Sequence, residues 1–117
     1  MLLGEDIAER LLDLGVGALA VARTLPRDAI WRHIATQLVR CVSSSGANYE
    51  EARRAESRAD FVHKVSIAAK ELGEAVYWLR LCARARAEPQ IFHPMIDESN
   101  ELAAILVASA RTARKRL

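Results

Sequence analysis

From Ala29 to Glu56 the chain contains no proline, and a single spacing runs through the whole segment. Ile30, Ile34, Leu38, Cys41, Ser45, Asn48 and Ala52 alternate steps of four and three, the repeat that keeps one face of an α-helix together. The phase does not slip across Ser43-Ser44-Ser45-Gly46-Ala47-Asn48, where small and polar residues would otherwise suggest a loop. A loop of arbitrary length loses that phase. The stretch therefore predicts an unbroken helix over 29–56. A second stripe, Trp31, Ala35, Leu38, Val42, Gly46 and Tyr49, lies beside the first. A helix apolar over so wide an arc must touch more than one neighbour.

The other segments follow the same rhythm. Ile7, Leu11, Leu14, Ala18, Val21 and Leu25 predict a helix over about 4–24, stopped by Pro26, with Asp28 placed to cap its successor. Ser57-Arg58-Ala59-Asp60 resembles a capping box with Asp in place of Glu. It opens a helix over about 58–87 with Phe61, Val65, Ala68, Leu72, Val76, Leu79 and Ala83 on its seam. A break at Glu88-Pro89 precedes the last helix, over about 92–114, which turns Leu102, Ile105, Leu106 and Ala110 inward. Four long amphipathic helices with short connections predict an all-α fold, an antiparallel up-down-up-down four-helix bundle. At 117 residues the chain suffices for one domain, residues 1–117, with one core.

Placing the turn near Ser57 sets the register of helices two and three. Residue numbers of facing partners then add to roughly 114. Gly46 and Ala47 fall opposite Ala68 and Ala69, and Ser43 opposite Glu71. The run Ser43 to Gly46 costs roughly 2 to 2.5 kcal/mol of helix propensity against alanine. Close packing of small residues, or pairing of Ser45 and Asn48 with Glu71 and Glu74, is the expected compensation. Lys64, Glu71, Glu74 and Trp78 share a flank of helix three, and Lys64 and Arg53 are the expected partners of the two carboxylates.

Composition narrows the function. Formal net charge is +2, and the excess sits in the final RTARKRL. Without Arg111, Arg114, Lys115 and Arg116 the chain keeps 13 basic and 15 acidic residues. Such an end suits a helix C-terminus on dipole grounds, and it also suits phosphate contact with nucleic acid. No apolar run is long enough to span a bilayer, and MLLGEDIAER has acids where a secretory signal needs bases. A cytoplasmic protein with no membrane partner is expected.

Enzyme signatures are absent. His33, His63 and His93 lack ligand spacing, and Asp60-x-x-His63 occurs once where a di-iron bundle needs two Glu-x-x-His helices. The serines lack an elbow motif, and Gly46 stands alone rather than in a phosphate loop. No cofactor, metal or catalytic residue is assigned. Cys41 and Cys82 fall about 13 Å apart along the bundle, too far for a disulfide, so buried free thiols are expected. A lesser alternative is a small-ligand or enzyme site lined by Asn48, Glu71 and Glu74. Trp31, Tyr49, Ile67 and Trp78 lie outside the narrowest seam, which suggests a sticky face for self-association or a partner helix.

Three segments carry a family resemblance: SSSGANYEEARRAESRADFVHK, KELGEAVYWLRL and DESNELAAILVASARTAR. Within them Ser45-Gly46-Ala47-Asn48, Ala59-Asp60-Phe61-His63-Lys64 and Glu74-Tyr77-Trp78-Leu79 are the most specific. Over nearly its whole length the chain resembles the bacterial four-helix-bundle proteins of the 23S rRNA intervening-sequence family, which are related to the accessory variability proteins of retroelements. The resemblance implies a bundle that assembles into a homopentamer. The structural or interface candidates in the chain are Ser45, Gly46, Asn48, Tyr49, Glu71, Glu74, Tyr77 and Trp78. The leading expectation is a non-enzymatic, self-assembling scaffold or binding module with an RNA or protein partner. The alternative is an RNA-binding ring using its basic tails. The family brings no biochemical activity to transfer.

Overall fold

The computed structural model describes residues 4–117. Four helices follow one another: α1 (Glu5–Thr24), α2 (Ala29–Arg53), α3 (Arg58–Arg86) and α4 (Pro89–Arg114). None of them is long and apolar enough to cross a membrane. They pack as a bundle 46 Å long, each helix against its neighbours in the chain and α1 also against α4.

Local chemistry sets the boundaries. Asp28 accepts a hydrogen bond from the Trp31 amide and Ser57 accepts one from the Asp60 amide, so both act as N-caps. The second helix ends at Arg53, three residues short of the expected end. Ser57 must adopt an extended conformation to cap α3 (ψ 164°), so the chain has to leave α2 first. The last helix starts at Pro89 rather than at 92. Pro89 occupies the first turn, where its missing N–H costs nothing, and Pro94 is carried within the helix near its start. Ala87 makes the reversal between α3 and α4 in the left-handed region, φ 54°.

Helix two runs without interruption through residues 43–48. Its polar side chains are satisfied on their own helix. Ser43 donates to the Val39 carbonyl, Ser45 to that of Val42, and Asn48 to the carbonyl and hydroxyl of Ser44. Such back-bonding lets hydroxyls sit in a helix without outside partners. The expected pairing of Ser45 and Asn48 with Glu71 and Glu74 is therefore replaced. Leu38, Val42 and Tyr49 lie buried on the same helix. Each such burial stabilises by roughly 1.5 to 3 kcal/mol, which outweighs the propensity cost of the polar run.

The small residues do not face α3. A Cβ added at Gly46 would meet Leu11 of α1, at 3.7 Å from its Cβ and 3.9 Å from its carbonyl oxygen, and Ala47 is exposed. The stripe Val42, Gly46, Tyr49 is thus the α1-facing side of α2, whereas Arg40 and Glu51 reach α3. The antiparallel register itself holds: Arg40 meets Glu74 and Lys64 meets Glu51, each within one residue of a turn centred on Ser57. Ile30, expected on the seam, is 73% exposed, because the buried stripe of α2 begins only at Ile34. On α4, Ile105 is half-buried while Leu102, Leu106 and Ala110 are buried.

One glycine does have a steric reason. Gly4 sits at φ 81°, and a Cβ there would come within 2.5 Å of the Tyr49 hydroxyl. Gly46 does not, since 3.7 Å is ordinary van der Waals contact. Gly46→Ala should therefore leave stability unchanged or raise it by up to about 1 kcal/mol through helix propensity. Gly4→Ala should destabilise. Chemical unfolding of the two variants checks both, and a large loss in Gly46→Ala would mean that the α1–α2 approach is tighter than described.

Candidate functional site

Three features stand out on the bundle: an apolar groove, a polar cluster between α2 and α3, and a basic end. The groove lies between α1 and α2, with a volume of about 700 Å³. Its walls are Leu12, Val16 and Leu19 of α1 and Val39, Ser43, Ala47 and Glu50 of α2, and Gly15 and Gly46 line it as well. Leu12 is 63% and Val16 61% exposed, high values for apolar side chains beside a cleft. Here the serine-glycine run has its effect on the surface. Small side chains at 43, 46 and 47 leave open the space that larger ones would fill.

The polar cluster is organised by Arg40. Its guanidinium bonds Glu71 at 3.0 Å and Glu74 at 2.8 Å, and its Nη2 lies 3.1 Å from the Cys41 sulfur. The Trp78 indole N–H also donates to Glu74, at 3.1 Å. These hydrogen bonds, from Trp78 first and then from Cys41 and Arg40, hold the Glu74 carboxyl below the usual carboxylate range. Burial foremost, together with the Glu74 contact, pushes the Cys41 thiol up to about 12. Cys41, Glu71 and Glu74 form the group of potential metal donors among the described residues, with ligand atoms within 4.8 Å of one another. The Arg40 guanidinium bonds to all three residues and serves as their cation. Around the cluster, Trp78 packs edge-on against His33 at 6.0 Å and Tyr77 at 5.2 Å, and Arg86 lies over the Trp31 ring.

The expected partners of these carboxylates are thus corrected. Lys64 pairs with Glu51 and Arg53 with Glu50, leaving Arg40 to hold Glu71 and Glu74. Arg40 was legible, since the register about Ser57 puts position 40 opposite 74. Asn48 is bonded to its own helix, so the three residues suggested for a ligand site do not act together. Cys41 and Cys82 are both buried and free.

A second polar clamp was not anticipated. Arg10 of α1 holds Glu98 of α4 through two bonds, 2.9 and 2.7 Å, and reaches Glu101 at 3.2 Å. The pair is about one-third exposed on each side, and the Arg10 bond holds Glu98 below the usual carboxylate range. Only the docking of α1 on α4 brings these distant residues together, so no local pattern announces them.

The basic end comprises Arg111, Arg114, Lys115 and Arg116, all exposed and without ion-pair partners among the described residues. Beside it a groove of about 680 Å³ runs between Arg58 and Phe61 of α3 and Ile105, Ala108 and Thr112 of α4, with Arg116 just past the helix end.

Residues 6–108 match the model of the 23S rRNA-intervening sequence proteins. The chain belongs to that family. The family's fold is seen in a crystal structure from Bacteroides thetaiotaomicron, described as a protein of unknown function from the S23 ribosomal protein family. That protein is 30% identical, and the match covers 89% of this chain and 97% of the other, with a TM-score of 0.82. No curated protein matches the chain. The intervening-sequence family thus accounts for the bundle and leaves the biochemical role open.

The Arg10 clamp has a pH signature. Glu98 has a depressed folded value, so its contribution is full above the ordinary carboxylate range and is lost as pH falls through and below it. Arg10→Ala should lose about 1 kcal/mol near neutral pH. The difference from the unsubstituted chain should shrink below about pH 4.5. Urea unfolding at pH 7 and pH 3 measures it, and an equal gap at both would rule out the electrostatic origin.

Proposed function

We propose that this chain is a cytoplasmic, non-enzymatic building block that assembles with copies of itself into a scaffold or binding platform. The observation that carries this reading is apolar surface on separate sides of the bundle. Leu12, Val16 and Leu19 lie along α1, while Tyr77, 58% exposed, stands on α3 beside half-buried Trp78. Apolar side chains left open on two distinct faces are what a repeating assembly needs. The buried free thiols suit a reducing compartment. The polar residues along the α2–α3 contact engage one another rather than an open cavity, which favours a structural part for them over a catalytic one. Five copies is the number implied by family resemblance. Light scattering coupled to size exclusion at micromolar concentration should report a multiple of the 13.0 kDa chain, with five as the leading value. A monomer at every concentration would remove this reading.

A second reading rests on the end of α4. Arg111, Arg114, Lys115 and Arg116 have no ion-pair partner among the described residues, and Arg116 lines a groove together with Phe61 and Arg58. Cations flanking an aromatic suit a single-stranded nucleic acid, through phosphate contact and base stacking. Repetition of the end in an assembly multiplies the local charge. RNA binding on this basis should weaken steeply with salt and vanish on deletion of residues 111–117. Binding indifferent to both would place the RNA site elsewhere.

A further inference from the structure

Helix α1 carries a second four-three stripe besides the one that faces the core. Glu5, Glu9, Leu12, Val16, Leu19 and Arg23 repeat at steps of four, three, four, three and four, and every one of them is exposed. In a helix serving only its own bundle, this outer face would be polar throughout. Here it is acidic at the start, apolar in the middle and basic at the end. None of Glu5, Glu9 and Arg23 has an ion-pair partner among the described residues.

Gly15 adds an independent observation. It lies in the middle of α1, and a Cβ placed there would meet nothing within 4 Å. Glycine at such a position costs about 1 kcal/mol against alanine. Gly4 has a steric reason within the chain; Gly15 has none. A bare spot on an outer face, flanked by exposed Leu12, Val16 and Leu19 and opening on the 700 Å³ groove, suits the close approach of another helix.

We infer that a second copy of this chain docks here through the same face, two α1 helices crossing antiparallel about a two-fold axis near Leu14. The pattern is its own complement in that orientation. Glu5 comes opposite Arg23, Leu12 opposite Val16 and Glu9 opposite Leu19, one turn from the same Arg23. A parallel pairing instead stacks Glu5 on Glu5 and Arg23 on Arg23, which repels. A two-fold contact of this kind uses one patch on both copies. The stripe is roughly 27 Å long and a helix face about 10 to 12 Å wide. That gives roughly 300 Å² per copy, against about 800 Å² for a stable interface. The pairing is accordingly weak on its own. It rests on the self-assembly reading but not on its copy number: α1 is here the face that joins copies in pairs, and Tyr77 on α3 is the face left for a further contact.

Charge reversal tests the two-fold directly on the full-length chain. Glu5 and Arg23 lie roughly 27 Å apart on one helix and cannot pair within a copy. Leu12→Glu, Glu5→Arg and Arg23→Glu should each raise the dissociation constant of the α1 step about tenfold in sedimentation velocity. The double variant Glu5→Arg/Arg23→Glu should regain it, because each reversed charge again meets its opposite on the partner. All positions are exposed, so the circular dichroism should be unchanged and the thermal midpoint should fall only slightly, by the amount that Glu5 and Arg23 complement the α1 dipole. Failure of the double variant to recover, or indifference to Leu12→Glu, overturns the two-fold while leaving assembly intact. A chain that never associates overturns both.

Discussion

The structure depends on α2 burying two faces at once. It lies between α1 and α3, and its apolar arc is wide enough to serve both. Leu38, Cys41 and Ser45 are fully buried at the centre of that arc, and Val42 and Tyr49 carry it toward α1. A helix with a narrow stripe would have paired with α3 alone and left α1 without a seat. The polar run at its middle is tolerated because its hydroxyls and amide turn back on their own carbonyls, so their burial leaves no donor stranded.

Electrostatics then fixes how the helices line up. Hydrophobic burial is non-directional and allows sliding by a turn. Arg40 against Glu71 and Glu74, Lys64 against Glu51, and Arg10 against Glu98 each favour one alignment. The geometry around Arg40 also explains how Cys41 and two carboxylates can lie so close. A permanently charged guanidinium bonds to them all, and burial keeps the thiol protonated. Its role is to set a register.

What remains outside the bundle gives the chain its character. Small side chains at 43, 46 and 47 leave a groove beside α1 rather than a filled surface. Acids at the start of α1 and bases at the end of α4 have no ion-pair partner among the described residues. On the proposed reading these features are where other copies dock, and the small side chains of α2 that lie beside α1 also shape that surface.

Much of this was legible in the one-dimensional pattern. Four helices, their caps at Asp28 and Ser57, and the α2–α3 register all follow from spacing, because helix periodicity and capping are local properties. The membership of the 23S rRNA-intervening sequence family was likewise visible in the motifs around Asn48, Asp60 and Trp78. Which neighbour each side of α2 would face was not. A stripe shows that a face is buried but not what buries it, and Gly46 came to rest on Leu11 instead of Ala68 for that reason. Arg10 and Glu98 are 88 residues apart, and only the docking of α1 on α4 could join them. The outer stripe of α1 could be counted beforehand. Its meaning came from the bundle, because only three dimensions show that nothing among the described residues covers it.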